Sequence, residues 1–370
     1  GNLSAGQSLS IESINSEHSY LTAAVGFTNA GSITLTSTET SPNQAALIVS
    51  TGTLTNSGSI SVEAGVGGLR FLEGNLTNTG TIAINQTTKY DVKATLTNAG
   101  ALNIASGVSL TVTAASTVSN ESGGMIAATG TGSLVQTEGT FNQGLGKTTT
   151  TKTAEPVILD RVALHYSDKG ASKIAQRGAS TLSGTINKGQ TLSIQSSCSE
   201  HAVDNAAGSF LNSGTINLTN AETCPNNVTL NLTGGTLENK GTINVLYPHG
   251  GIRAIEGSLI NVKTLSIAND PSQALKVTGT YSQGAVASLK LTIAGTTNFS
   301  RLAVTGAVTI GGKLSLKQLK FTGKAAESFG IVSGASRTGE FSGVTGNAIK
   351  GGLLHYLPHY TATGVNLVVE

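Results

Sequence analysis

The sequence predicts an all-β chain wound as a right-handed parallel β-helix, a β-solenoid of roughly 20–27 residues per coil closed by a C-terminal β cap. Three observations predict it. The motif Leu/Phe-x-Asn-x-Gly-x-Ile/Leu recurs around Asn29, Asn56, Asn78 and Asn98 in steps of 27, 22 and 20 residues, then around Asn212 and Asn239, 27 apart. Each occurrence runs into a short stretch that alternates apolar and small polar residues. The composition suits strands and turns: 47 Gly in 370 residues, 38% hydrophobic, 11% charged, 4% aromatic and no Trp. A fixed period of about 20 to 30 residues in such a chain means stacked coils, each burying its apolar face on the next.

The first repeat is expected over residues 1–144. Its strands read Ser32-Ile33-Thr34-Leu35, Ser59-Ile60-Ser61-Val62 and Thr81-Ile82-Ala83-Ile84. Period-two alternation puts the Ile, Leu and Val residues on one face and the small polar residues on the other. β-branched residues and Gly at this density disfavour helix. Asn29, Asn56, Asn78, Asn98, Asn212 and Asn239 are expected to stack as ladders, each side-chain amide bonding its neighbours at about 4.8 Å spacing. Gly31, Gly58, Gly80, Gly100, Gly214 and Gly241 are expected where the chain turns a corner with positive φ.

Residues 145–183 break the pattern and are expected to form an irregular join, a hairpin or a boundary between stacked segments. Lys147 to Thr153 is polar, and Val157, Leu159, Val162, Leu164 and Tyr166 then alternate around Asp160-Arg161.

A second, shortened repeat occupies 184–284. Residues 1–85 align without a gap onto 184–268, with 39 of the 85 pairs identical, and Gly139 to Gly144 match Gly279 to Gly284. The two offsets, 183 and 140, mean that the second copy lacks 43 residues, about two coils. Residues 285–370 then supply the end of the helix and its cap. About 15 coils are expected along the chain. The repeat phase also suggests a mature protein or a piece of a longer tandem array, with neighbouring repeat units as partners.

Cys198 and Cys224 are separated by 26 residues, one long coil, while the matching positions in the first repeat hold Asn15 and Ser41. Equivalent positions in successive coils fall inside the Cα–Cα window for a disulfide. Such a bridge implies an oxidising compartment.

Few residues suggest chemistry. Glu17-His18 and Glu200-His201 pair a carboxylate with an imidazole, but adjacent strand residues point to opposite faces, so loop hydrogen bonding or a polar ligand surface is expected rather than acid–base work. Arg70/Glu73 and Arg253/Glu256 are expected as outward ion pairs, or else as carbohydrate- or anion-facing pairs. Polysaccharide-cleaving β-helices need clustered carboxylates or Ca²⁺ with Arg/Lys in one groove, and the 20 Asp and Glu are scattered. An ice-binding solenoid needs a regular Thr array, whereas the outward rows here mix Ser, Thr, Ala and Asn. No metal or cofactor motif is present. The net charge of +2, with no Arg cluster or aromatic platform, gives no nucleic-acid footprint. No apolar run approaches the roughly 20 residues of a membrane-spanning helix.

The Leu-x-Asn-x-Gly-x-Ile coils resemble the β-helices of bacterial surface exoproteins of the filamentous-haemagglutinin and autotransporter-passenger kind. Leu314 to Leu316, Phe329 to Val332, Thr338 to Val344 and Tyr360 to Val369 look like the closing segment of such a passenger. The resemblance implies a secreted, surface-displayed stalk or adhesin. The expected function is therefore non-enzymatic, with a glycan or cell-surface receptor met by long loops at 14–26, 36–46, 197–209 and 219–229. A polysaccharide-active enzyme and an ice-binding solenoid are the alternatives.

Overall fold

A computed structural model of the chain describes every residue except Glu39, Ser41, Val66, 152–154 and the side chain of Lys350. It is all-β and 1% helical, with parallel stacked coils forming a β-solenoid of about 13 turns. The chain divides into two compact units, Gly1–Ala175 and Gln176–Glu370.

In the first unit each coil presents three faces. One is a seven-stranded sheet in which Ser8–Ser13, Ser32–Ser37, Ser59–Val62, Thr81–Ile84, Ala101–Ile104, Met125–Ala128 and Lys147–Thr150 follow one another. All of these pairings are parallel and in register, so Ile33 lies over Ile60 and Ile60 over Ile82. The alternation read from the sequence becomes a dry column: Ile33, Leu35, Ile60, Val62, Ile82, Ile84, Leu102 and Ile104 are each no more than 1% exposed. Each such side chain contributes about 1.5–3 kcal/mol relative to an exposed one. Strands Ala45–Asn56 and Arg70–Asn78 span the other two faces, bending in the middle where their register shifts.

The expected break at 145–183 does not occur at its beginning. Lys147–Thr150, Val157–Asp160 and Ala163–Tyr166 continue the three faces in register on the preceding coil. Val157, Leu159, Leu164 and Tyr166 point inward and are buried, which is what their alternation encodes. Lys152 and Thr153 of this segment lie outside the described residues.

The second unit repeats the three-faced coil, with Thr191 over Thr215 and Thr215 over Thr242. It ends differently. Ser328–Ser333 pairs antiparallel with Gly364–Val369, which pairs antiparallel with Leu354–Tyr360. Phe329 packs edge-on against Phe299 and Tyr356, with Tyr356 fully buried, so aromatic rings close the apolar interior. Fewer coils form than expected because these residues leave the helical path and the last coil is long, stepping from Leu314 to Val344.

Candidate functional site

Most of the residues singled out by the sequence sit on one corner of the coil or on the loops beside it. At the corner, Asn29 Nδ2 donates to Asn56 Oδ1 at 2.7 Å, Asn56 to Asn78 at 2.8 Å and Asn78 to Asn98 at 2.9 Å. Each amide also donates to a backbone carbonyl of the next coil, as Asn56 does to Thr81 O. The row runs on to Asn120 at 3.1 Å and stops at Gln143, which lies in register with it. In the second unit Asn212, Asn239 and Asn261 form the same ladder, followed by Gln283. Asn261 carries no motif glycine, since Lys263 stands where Asn212 and Asn239 have Gly.

The motif glycines differ from expectation in cause. None of Gly31, Gly58, Gly80, Gly100, Gly214 or Gly241 has positive φ. They stack on one another instead. A Cβ on Gly58 would lie 2.1 Å from Gly31 O, one on Gly80 2.1 Å from Gly58 O, and one on Gly241 2.1 Å from Gly214 O. Close approach of successive backbones, not turn geometry, requires the missing side chain.

The loops beside this frame are clamped in the same way in both repeats. His18 Nδ1 accepts the backbone N–H of Gln44 at 2.9 Å, and His201 Nδ1 that of Asn227 at 3.0 Å. Asn43 Nδ2 donates to Ile14 O, and Asn226 Nδ2 to Ser197 O. Ser13 and Ser196 donate to the carbonyls of Asn43 and Asn226. Every pair is related by the 183-residue offset. Each imidazole therefore holds the loop of the following coil, with Nδ1 as acceptor and Nε2 carrying the proton. Glu17 shapes the turn through its backbone, which bonds Ile14 in both directions, and Glu200 O likewise accepts from Ser197 N. In the second repeat Cys198 and Cys224 join the same two loops, with Cα atoms 5.0 Å apart. The loop at 36–46 includes Glu39 and Ser41, which lie outside the described residues.

The clamped loops differ in what they display. Tyr20 is 53% exposed, stacks on His18 with centroids 5.4 Å apart and donates to Gln44 Oε1. Its match in the second repeat is Val203.

No protein-family model and no curated protein matches this chain.

Arg70 and Arg253 correct an expectation. Neither faces outward: both are fully buried inside the coil. Arg253 donates to the carbonyls of Leu246, Asn226 and Ile252 and to Asn220 Oδ1, with Tyr247 stacked 5.2 Å away. Burial lowers its pKa to about 10, against the opposing pull of Tyr247 and Asp270. Arg70 donates to Gly68 O, while its Nε and Nη2 have no partner among the described residues. The alternation contained this result. Arg70 shares parity with inward Leu72, so Glu73, three residues on, must point the other way.

Glu73 instead lies on the floor of a groove. Where the register shifts between Ile48 and Thr53, the upper coil bulges and leaves about 240 Å³ over Glu73, Gly74 and Asn75. The second repeat shifts between Asn231 and Thr236 and leaves about 320 Å³ over Glu256, Gly257 and Ser258. Burial, then the charge of Asp91, pushes the Glu73 carboxyl up.

Asp204 was not foreseen. It is 1% exposed on the inward row Ala202, Asp204, Ala206, and neither carboxyl oxygen has a hydrogen-bond partner among the described residues. Burial pushes its pKa up to about 7. Among the described residues no group of three His, Cys, Asp or Glu side chains could hold a metal ion. Among the described residues no helix is long and apolar enough to cross a membrane.

Proposed function

We propose that the chain is a non-enzymatic extracellular repeat module, a surface stalk or adhesin whose clamped loops meet a glycan or cell-surface receptor. One observation carries the reading. The frame under the loops is built twice with the same bonds, His18 to Gln44 and His201 to Asn227, while the side chains displayed on it change, as Tyr20 does to Val203. A fixed scaffold presenting different surfaces suits recognition rather than one chemical reaction. The residues that suggested chemistry support it, because His18, His201, Arg70 and Arg253 are engaged in holding the coil together. The Cys198–Cys224 pair favours an oxidising, extracellular setting.

A glycan array and a cell-attachment assay with the whole chain test the adhesive half. Binding that Tyr20→Ala weakens is expected, and a blank array with no attachment would leave only a spacer. Incubation with pectin, alginate or glycosaminoglycans in the presence of Ca²⁺ tests the other half. Unsaturated or shortened products would overturn the non-enzymatic reading.

A further inference from the structure

One sheet of the second unit carries charge of a single sign on its outer face. Gln190–Ser196, Thr215–Asn220, Thr242–Val245, Thr264–Ile267, Ser288–Ile293, Lys313–Gln318 and Gly343–Thr345 pair in parallel from coil to coil. None of these strands contains Asp, Glu, Arg or an aromatic residue. Leu289, Leu291, Leu314 and Leu316 are buried, so the alternate residues face outward. Lys290 stands opposite Ser315, midway between Lys313 and Lys317, and all three lysines are exposed. Neighbouring strands lie about 4.8 Å apart and Lys313 to Lys317 spans about 13 Å, so three ammonium groups share one small patch. Lys263, also exposed, stands on the preceding coil in the place of the motif glycine. Among the described residues the side chains of these four lysines take no hydrogen bond or ion pair. The first repeat lacks this character. Its matching face carries Glu12 and, just past Ser59–Val62, Glu63, where the second has Gln195 and Leu246, and Lys263 matches Gly80.

Like charges held this close on a rigid sheet repel, and no acid on the face offsets them. A partner with negative charges repeated along its length does. Ammonium groups take carboxylates as point charges, without the fork geometry of arginine. The hydroxyls around them, Ser266, Ser288, Thr292 and Ser315, can donate and accept hydrogen bonds as sugar hydroxyls require. A polyuronate carries a carboxylate and free hydroxyls on each sugar and so meets both features. A nucleic acid fits less well, since the face has no aromatic ring for a base and no arginine for a phosphate. We propose that this face is a docking surface for an acidic polysaccharide of the polyuronate class, held by Lys290, Lys313 and Lys317 with Lys263 at its border. The proposal rests on the extracellular, non-enzymatic part of the function proposed above and uses neither Tyr20 nor the clamped loops.

Titration of the whole chain with polygalacturonate, at low salt and without Ca²⁺, tests it. Saturable binding that fades as salt is raised is expected. The triple change Lys290→Gln, Lys313→Gln and Lys317→Gln should weaken binding about 10-fold or more. Lys169→Gln, Lys188→Gln and Lys276→Gln together remove the same charge from exposed positions elsewhere and should change it less than about 2-fold. Circular dichroism checks that both variants keep their strands. No binding by the native chain, or equal weakening by the two triple changes, would overturn the proposal. So would single-stranded DNA that competes as well as polygalacturonate at equal charge, which would mean unselective attraction. Tyr20→Ala separates the two surfaces. Binding lost with Tyr20→Ala but kept in the Lys290 triple variant would put the sugar at the clamped loops and overturn the lysine face. A blank array of uncharged glycans with polygalacturonate binding intact would count against the loop reading alone.

Discussion

The side-chain amide of Asn56 donates to Oδ1 of Asn78 at 2.8 Å, in a corner where both residues are fully buried. Asn56 is also the acceptor for Asn29 and a donor to Thr81 O. One side chain thus ties three coils. Asn56→Ala leaves the buried Asn78 Oδ1 and the part-buried Thr81 O without that donor. The expected loss is about 2–4 kcal/mol by denaturant unfolding followed by circular dichroism, whereas Thr55→Ala on the outer face changes stability by less than about 0.5 kcal/mol.

Two glycine substitutions separate close approach from backbone conformation. Gly58 has ordinary φ but no room, since its Cβ would meet Gly31 O at 2.1 Å. Gly107 has φ of +80° and open space around it. Gly58→Ala is expected to cost about 3 kcal/mol or more, because two backbones must part. Gly107→Ala is expected to cost only about 1–2 kcal/mol, the strain of the left-handed conformation. Equal losses in thermal unfolding would mean that the coils do not approach at the glycine corner.

Reduction of the Cys198–Cys224 pair frees two loops that the first repeat holds without it. A closed loop of 26 residues stabilises by about 3–4 kcal/mol in the chain-entropy model. Adding a reductant, or the double change Cys198→Ser with Cys224→Ser, is expected to lower the unfolding midpoint of the second unit only. An unchanged midpoint would mean that the bridge does not form in solution.

Asp204 gives the chain a pH dependence of definite sign. Its pKa rises from 3.8 to about 7 on folding, so the folded state holds the proton more tightly. The stability associated with the neutral carboxyl is complete below pH 3.8 and is lost as pH rises through about 7. Asp204→Asn keeps the shape without the charge. It is expected to remove this part of the decline and to gain at most about 4 kcal/mol at pH 8. Denaturant midpoints from pH 4 to 8 check this, and parallel curves for the two proteins would contradict it.

The sequence made the coil legible because two independent periods, alternation within a strand and the Asn-Gly motif between coils, point to the same inward face. The alternation of Val157, Leu159, Leu164 and Tyr166 was legible too, but polar Lys147 to Thr153 and the Asp160-Arg161 pair suggested a break where the coil in fact continues. The motif glycines were legible in position but not in cause, since close packing of backbones and a left-handed conformation require the same residue. Arg70, Arg253 and Asp204 were misplaced or missed because charge suggests a surface position. Their parity with Leu72, Ile255 and Ala206 was the better guide. Loop hydrogen bonding by His18 and His201 was legible, but not its partners, because the backbone N–H groups of Gln44 and Asn227 on the next coil carry no sequence signal.

Cysteine trapping across successive coils tests the stacking on which every other statement depends. Ser61 stands opposite Ala83 on the outer face, and Asn85 follows two positions beyond. Introduced together, Ser61→Cys and Ala83→Cys should oxidise to one internal bridge in nearly every molecule, while Ser61→Cys with Asn85→Cys should remain reduced. Bridging of the second pair as readily as the first, or of neither, would contradict the in-register coil and the function argued from it.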